Sequence, residues 1–334
     1  MKDLRKLLIF CKKYAKRNKK KFYFIIANTA KLENNDYYLT PLRDLDGILF
    51  SGIVIYNDNN LNKILNLISK YADKILLDLE KKISNAGKIL FTIKKKIQYK
   101  KKIEFVKPND LTVDSAYYLI IENLRKKILN NKNIHILFLG LGNIGSKLAI
   151  KLVESNIDVF ILARDKKKTS QIIKSLELIK VRYNKNKIKL INNKKIKKDL
   201  FDIVVSLLPN PNNLLNAKLL KKIRSSQLIL DIGKGGFGED EIKFIKKNKL
   251  KFLRLDPEVG FEGFIKSNIH LKKNFLKKIG RKIYDKKGVI SGGFPGENGD
   301  LVTEDFRKPI FFYGSIDNKN NFFKRFLIEK KIKL

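Results

Sequence analysis

The sequence predicts an α/β protein, with a doubly wound parallel sheet and a second, smaller α/β domain, on three observations. Apolar runs such as "ILFL" (136–139) and "IVVSLL" (203–208), the latter broken only by Ser206, have the composition of strands buried on both faces. Segments with apolar residues at helical spacing alternate with these runs. Turn residues, glycine above all, mark the transitions between them.

Taken in order, "KFYFIIA" (21–27) and "GILFSGIVIY" (47–56) are rich in aromatic and β-branched side chains and read as strands. Leu61, Ile64, Leu65 and Ile68 recur every three or four residues, which predicts a helix over 61–71, and "KILLDL" follows as a strand. Residues 1–106 therefore form the small α/β domain, expected to serve the substrate. Pro108 then punctuates and Asn109 or Asp110 can cap; Val113, Ala116, Tyr117, Ile120, Ile121 and Leu124 make the apolar stripe of a long bridging helix. With that helix, residues 107–270 form the parallel-sheet domain. Residues 271–334 are a C-terminal segment expected to complete the cleft or the small domain.

A chain of 334 residues is long enough for two such domains. Its 73 basic against 33 acidic residues give a formal charge of +40, which raises nucleic-acid binding as a function class. The lysines are spread through nearly every segment beside abundant Asn and Ile, with no Trp, which fits a compositional bias better than a dedicated phosphate-binding face. The densest tracts, 12–21 and 94–102, read equally well as solvated faces. No apolar run reaches the length of about 18 residues that a membrane span requires, and the patch Leu7–Cys11 is too short for a signal-peptide core. The expectation is a cytoplasmic protein without membrane or nucleic-acid partners, acting on a small-molecule substrate, with a homodimer as its assembly. The single Cys11 cannot form an internal disulfide and has no His or Cys cluster that would hold a metal.

Chemistry enters at Gly140-Leu141-Gly142-Asn143-Ile144-Gly145. Three glycines at this spacing say little by themselves, but here they follow a buried strand, open a helix carrying Leu148, Ala149, Leu152 and Val153, and precede a second strand at 158–162. That order is a Rossmann unit. Gly140 turns the chain out of the strand, Gly142 leaves room for a pyrophosphate, and Gly145 lets the helix pack on the sheet. The phosphates would rest on the amides at the helix start, so Asn143 and Ile144 join the glycines as cofactor-binding residues. Leu208 and Pro209, ending the next apolar run, complete the set. After the second strand come Ala163, Arg164, Asp165 and three lysines. Arg164 could grip a ribose 2′-phosphate, which favours NADP; NAD stays open because Asp165, one or two positions late, could accept from a 2′-hydroxyl.

The order "DIVVSLLP", an LL-KK-I helix, "LILDIGKGGFGEDEI" and "KFLRLDPEVGFE" resembles the NAD(P)-binding half of D-2-hydroxyacid dehydrogenases over residues 107–262. The resemblance implies hydride transfer to or from a small carbonyl or 2-hydroxy-acid substrate. It places Lys234 where that family has a substrate-binding arginine; a lysine supplies charge without the planar two-pronged donor. It makes Glu258 or Glu262 the family's glutamate and His270 its acid-base partner, although His270 lies closer to the glutamates than in the family and lacks the usual flanking proline and glycine. An ordinary residue on a basic helix is the other reading of His270. "ILARDKKKTSQII" resembles the NADP loop of shikimate dehydrogenases, whose catalytic pair would fall on Lys81 and Asp110, and a non-catalytic dinucleotide-binding module is a third alternative. Neither family accounts for "GVISGGFPGENGDLVTEDFRKPIFFYGSID", read as a lid with Glu297, Asp300 and Glu304 as polar contacts or as a surface hairpin, with "PIFFYGSI" as a strand.

Overall fold

The computed structural model describes residues 1–29, 37–56, 60–80, 82, 103–130, 132–193, 196–197, 200–209, 215–223, 226–317 and 322–323. Lys81 and the basic tract 94–102 lie outside the described residues. Two compact units divide the chain, residues 1–260 and 261–334. No helix among the described residues is long and apolar enough to cross a membrane, and no group of His, Cys, Asp and Glu among them could hold a metal ion.

The first unit opens with helix α1 (Lys2–Arg17), whose buried Leu4, Leu8, Cys11 and Ala15 recur every three or four residues. The apolar patch at 7–11 is thus one part of an amphipathic helix. Burial pushes the Cys11 thiol up to about 11, which leaves it protonated and unreactive. Strands β1 (Lys21–Asn28), β2 (Tyr37–Leu45), β3 (Ile48–Ile55), β4 (Lys74–Asp78) and β5 (Ile103–Val106) form a sheet in the order β2-β3-β1-β4-β5. It is parallel except for the edge strand β2, which runs antiparallel to β3 and has a register shift between Thr40 and Arg43. Helix α2 (Leu61–Tyr71) and α1 bury their apolar faces against Phe22, Phe24, Leu49 and Ile53.

A six-stranded parallel sheet follows, built from β6 (His135–Leu139), β7 (Asp158–Leu162), β8 (Ile188–Leu190), β9 (Ile203–Ser206), β10 (Leu228–Asp231) and β11 (Phe252–Arg254). Its order is β11-β10-β9-β6-β7-β8. Counted from its own first strand this is 3-2-1-4-5-6 read from the β8 edge, the Rossmann order, with the switch point between β6 and β9. Alternate residues of β6 feed two cores. Ile136 and Phe138 pack with α3 (Pro108–Leu129) and α4 (Asn143–Glu154), while Leu137 and Leu139 pack with α6 (Ala217–Lys222) and α7 (Glu239–Lys247). The unbroken apolar runs of the sequence follow from this covering on both faces. His135 stands at the start of β6 with its ring edge-on to Phe160, 5.3 Å between centroids, a structural position.

The start of α3 departs from the expected cap. Pro108 occupies its first turn and Lys107 is the N-cap, with no side-chain cap hydrogen bond. The Asn109 amide instead donates to Glu80 Oε2 at 3.0 Å, and Asp110 pairs with Lys147 of α4. A carboxylate from the end of the first sheet thus caps the bridging helix from outside. Helix α8 (Glu258–His270) is treated likewise, because the Gly260 amide donates to Ser115 Oγ of α3 at 2.8 Å. A Cβ on Gly260 would lie 2.3 Å from the Leu111 carbonyl oxygen, so only glycine permits this approach.

In the second unit α8 runs on into a π-helical turn (Leu271–Phe275) and a short 3-10 turn (Leu276–Lys278). Strands β12 (Gly280–Tyr284), β13 (Lys287–Ser291), β14 (Leu301–Thr303), β15 (Phe312–Ile316) and β16 (Phe322–Phe323) then form a sheet in chain order. None of these strands joins the small domain's sheet. β13 and β14 are parallel, so the loop 292–300 is a crossover and not the hairpin connection considered above. Its end is fixed by Asp300, 3% exposed, which accepts from Arg281 Nε at 2.7 Å and from the Glu297 amide at 2.7 Å.

Ser115→Ala should lower unfolding free energy by about 1–2 kcal/mol, because it strands a buried helix-start amide; denaturant titration measures this. Arg281 beside Asp300 holds that carboxyl below its ordinary value. Its stabilising contribution is therefore complete above the unfolded carboxyl pKa of about 4 and is lost as pH falls through the lower folded value. Thermal melts between about pH 6 and pH 2 should show a shallower acid loss in Asp300→Asn than in the parent protein.

Candidate functional site

The glycine turn lies at the carboxyl end of β6, beside the switch point. Gly140 has φ 90°, in the left-handed region, and its amide donates to the Leu162 carbonyl at 2.8 Å. Gly142 is the N-cap of α4 and offers no side chain to the helix start. The Ser146 amide finds the Gly142 carbonyl, which leaves the first-turn amides of Asn143, Ile144 and Gly145 without an intrahelical acceptor. A Cβ on Gly142 would meet nothing within 4 Å. Open space in front of an uncapped helix start is what a pyrophosphate needs, and the residues present fit one. Gly145 is buried, and a Cβ there would lie 2.6 Å from Leu207 Cδ1.

At the end of β7, Arg164 is exposed and, among the described residues, has no hydrogen-bond or ion-pair partner. Asp165 is occupied differently: it is the N-cap of α5 (Lys166–Ile179) and its Oδ1 accepts from the Lys168 amide at 2.9 Å. The carboxylate thus serves the helix, and the guanidinium stays available.

Leu208 joins this turn to the next loop. A Cβ on Gly140 would sit 3.2 Å from Leu208 Cδ2, and one on Gly233 would sit 2.1 Å from the Leu208 carbonyl oxygen. The loop after β10 is therefore pressed onto the end of β9, and Lys234 follows Gly233 with φ 58°, a conformation non-glycine residues rarely adopt. Pro209 is exposed beyond Leu208.

Asp231, the last residue of β10, holds Lys234 in that conformation. It is fully buried and its Oδ1 accepts from the Lys234 amide at 3.0 Å. Among the described residues its Oδ2 has no hydrogen-bond partner, and Arg254 Nε of β11 lies 3.4 Å away. The Oγ of its sheet neighbour Ser206 is also buried and has no hydrogen-bond partner among the described residues. Dehydration raises the Asp231 carboxyl above its ordinary value, opposed by the Lys234 amide and Arg254. Lys234 is exposed to solvent and only partly dehydrated by its neighbours. That dehydration pushes its ammonium below the ordinary lysine value; Asp256 and Asp231 oppose the shift, and Arg43 and Arg254 add to it.

Arg43, from the edge strand β2, brings the first sheet to the same place. Its side chain is 9% exposed and its guanidinium grips Asp256, with Nη2 at 2.7 and 2.8 Å from the two carboxylate oxygens. Glu258 Oε2 lies 3.6 Å from Arg43 Nε. Lys234 and Glu258 thus stand in one charged cluster of the first unit. Glu262 and His270 belong to the second unit, where Glu262 pairs with Lys266 at 2.7 Å and His270 Nδ1 is 3.5 Å from Asn274 Nδ2. Asp110 is engaged by Lys147. In the second unit Asp300 and Glu297 are engaged with Arg281, and Glu304 accepts from the Ile310 and Phe311 amides.

Arg43, Asp231, Arg254 and Asp256 escaped the reading of the sequence. Arg43 meets a partner 213 positions away, which no local pattern reveals. Asp231 did carry a signal: a lone carboxylate closing an apolar strand just before a Gly-Lys-Gly loop.

Residues 135–254 match the family model for the NAD binding domain of 6-phosphogluconate dehydrogenase. A search of curated proteins found no match. Among solved structures, similar ones include L-tryptophan dehydrogenase from Nostoc punctiforme at 13% identity and TM-score 0.41, covering 68% of this chain and 62% of that one. Shikimate dehydrogenase from Aquifex aeolicus is 17% identical at TM-score 0.40, covering 75% and 92%. The 5-ketofructose reductase of a Gluconobacter species is 13% identical at TM-score 0.37, covering 76% and 94%. The chain spans less than two thirds of the length of the first of these. The six-stranded sheet with its glycine turn is a Rossmann NAD-binding domain, and its cofactor is a nicotinamide dinucleotide.

Proposed function

We propose that the protein is an NADP-dependent oxidoreductase that transfers hydride to or from a small carbonyl or 2-hydroxy-acid substrate. The reaction is placed in the first unit, at the carboxyl ends of β9, β10 and β11. One observation carries the reading: the glycine turn and the loop presenting Lys234 both pack on Leu208. A cofactor seated on the turn and a cation at the sheet edge are thereby held in fixed relation.

The amides of Asn143, Ile144 and Gly145 would hold the pyrophosphate, and Arg164 the 2′-phosphate through charge-assisted hydrogen bonds. When bound, the reduced nicotinamide supplies the hydride. Lys234, with Arg254 beside it, offers positive charge to a substrate oxygen as it becomes anionic. Engagement of Asp165 with the α5 start supports NADP over NAD, because the residue best able to accept from a 2′-hydroxyl is already committed.

Fluorescence titration should show NADPH binding more tightly than NADH. Arg164→Ala should weaken NADPH by roughly tenfold or more, the equivalent of about 1.5–3 kcal/mol for a hydrogen bond to a charged group, and leave NADH nearly unchanged. Absence of binding of either nucleotide at millimolar concentration would overturn the proposal. Gly142→Ala separates cofactor binding from folding. The extended backbone there accepts alanine and the space is open, so the melting temperature should hold while the methyl lowers nucleotide affinity at least about tenfold.

A further inference from the structure

We propose that Asp231 is a positioning residue for Lys234, holding the lysine's backbone and balancing its charge so that Lys234 donates the proton when hydride reaches a substrate carbonyl. The inference rests on the reading of this cleft as the reaction site and assigns the proton's source within it. In the reduction direction the hydride bonds to the carbonyl carbon and the carbon–oxygen π pair moves onto oxygen. That oxygen takes a proton from Lys234 Nζ, giving the alcohol; the cofactor leaves oxidised and the neutral amine is reprotonated from water.

Three features of the geometry point to this role. The Lys234 backbone lies in the left-handed region and its amide is tied to Asp231 Oδ1 at 3.0 Å, so the carboxylate secures a conformation the lysine would otherwise leave. The other oxygen, Oδ2, is buried without a hydrogen bond and faces Arg254 Nε at 3.4 Å. A carboxylate serving only the loop would do equally well as a neutral amide, whereas a buried oxygen whose partner is the Arg254 guanidinium at ion-pair distance acts through its charge. Finally, the loop is held by the close approach of Gly233 to Leu208, so Asp231 and Lys234 cannot separate by a simple backbone shift.

The charges acting on Lys234 come from every element around it: Asp231 of β10, Arg254 of β11, Asp256 in the turn after β11 and Arg43 of β2. An ordinary lysine, with pKa about 10.4, is a weak proton donor near neutrality. Dehydration makes this one a better donor, with Arg43 and Arg254 acting in the same sense. Asp256 and Asp231 act in the opposite sense and keep the proton on the nitrogen until the substrate demands it.

The role can be tested without knowing the substrate. The full-length protein is acylated with acetic anhydride across a pH series, and labelling of Lys234 is read by peptide-resolved mass spectrometry against exposed lysines such as Lys166. In the parent protein Lys234 should reach half-maximal reactivity at lower pH than Lys166. Asp231→Asn keeps an acceptor for the Lys234 amide and removes the charge; it should move the Lys234 curve to lower pH by about one unit, roughly a tenfold gain in labelling on the rising limb. Arg254→Gln, at a side chain 56% exposed, should move it the opposite way. Opposed shifts support the proposal, since a loop merely loosened would expose the lysine and shift both variants alike. Coincident curves overturn it, and should Asp231→Asn fail to fold, an unmoved curve in Arg254→Gln overturns it alone. Failure of nucleotide binding would overturn the cofactor reading and leave these curves unchanged, so the two failures are distinguishable.

Discussion

Everything at the proposed reaction centre depends on how closely backbone can approach Leu208. Two loops, one after β6 and one after β10, close on the residue that ends the apolar run between them, and glycine stands at each contact. A Cβ 2.1 Å from the Leu208 carbonyl oxygen is not a tight fit but an impossibility, so the loop carrying Lys234 would be pushed off the sheet by any other residue at 233. Once the loops are down, Ser206 and Asp231 are sealed beneath them. Their polar atoms lose water without gaining full sets of partners. A steric requirement thus creates an electrostatic one, because the buried carboxylate must then be answered by cations at its rim.

Those cations come from different depths in the sequence. Lys234 is three residues from Asp231 and Arg254 ends the adjacent strand, while Arg43 reaches in from the other sheet to Asp256 beside Lys234. Lysine at 234 matters to this balance. A guanidinium would stay charged at every accessible pH, whereas a partly dehydrated ammonium can give up its proton.

The Rossmann sheet was readable from the chain because burial on both faces leaves unbroken apolar runs at 136–139 and 203–205, and because Gly140, with its left-handed backbone, and Gly145, packed against Leu207, tolerate a side chain poorly. The first sheet was legible in its buried strands β1 and β3 but not in β2, which is mostly half-buried or exposed and includes a proline. Caps were misjudged for a related reason. Local residues were available for the start of α3, yet Glu80, remote in sequence, serves the Asn109 amide. The candidate site was legible where its chemistry is backbone and local, as at Gly140 to Gly145. It was opaque where it depends on charges meeting across sheets, since Arg43 and Asp256 carry no mark of each other.

Strand β2 has a second consequence. Its ladder to β3 is interrupted between Thr40 and Arg43, with Pro41 inside the gap. Proline donates no amide, and an irregular edge presents no continuous row of donors and acceptors to another strand. Arg43 rejoins the ladder opposite Phe50 directly after this break and grips Asp256, so the irregularity beside that contact also makes this margin of the sheet a poor template for edge-to-edge pairing.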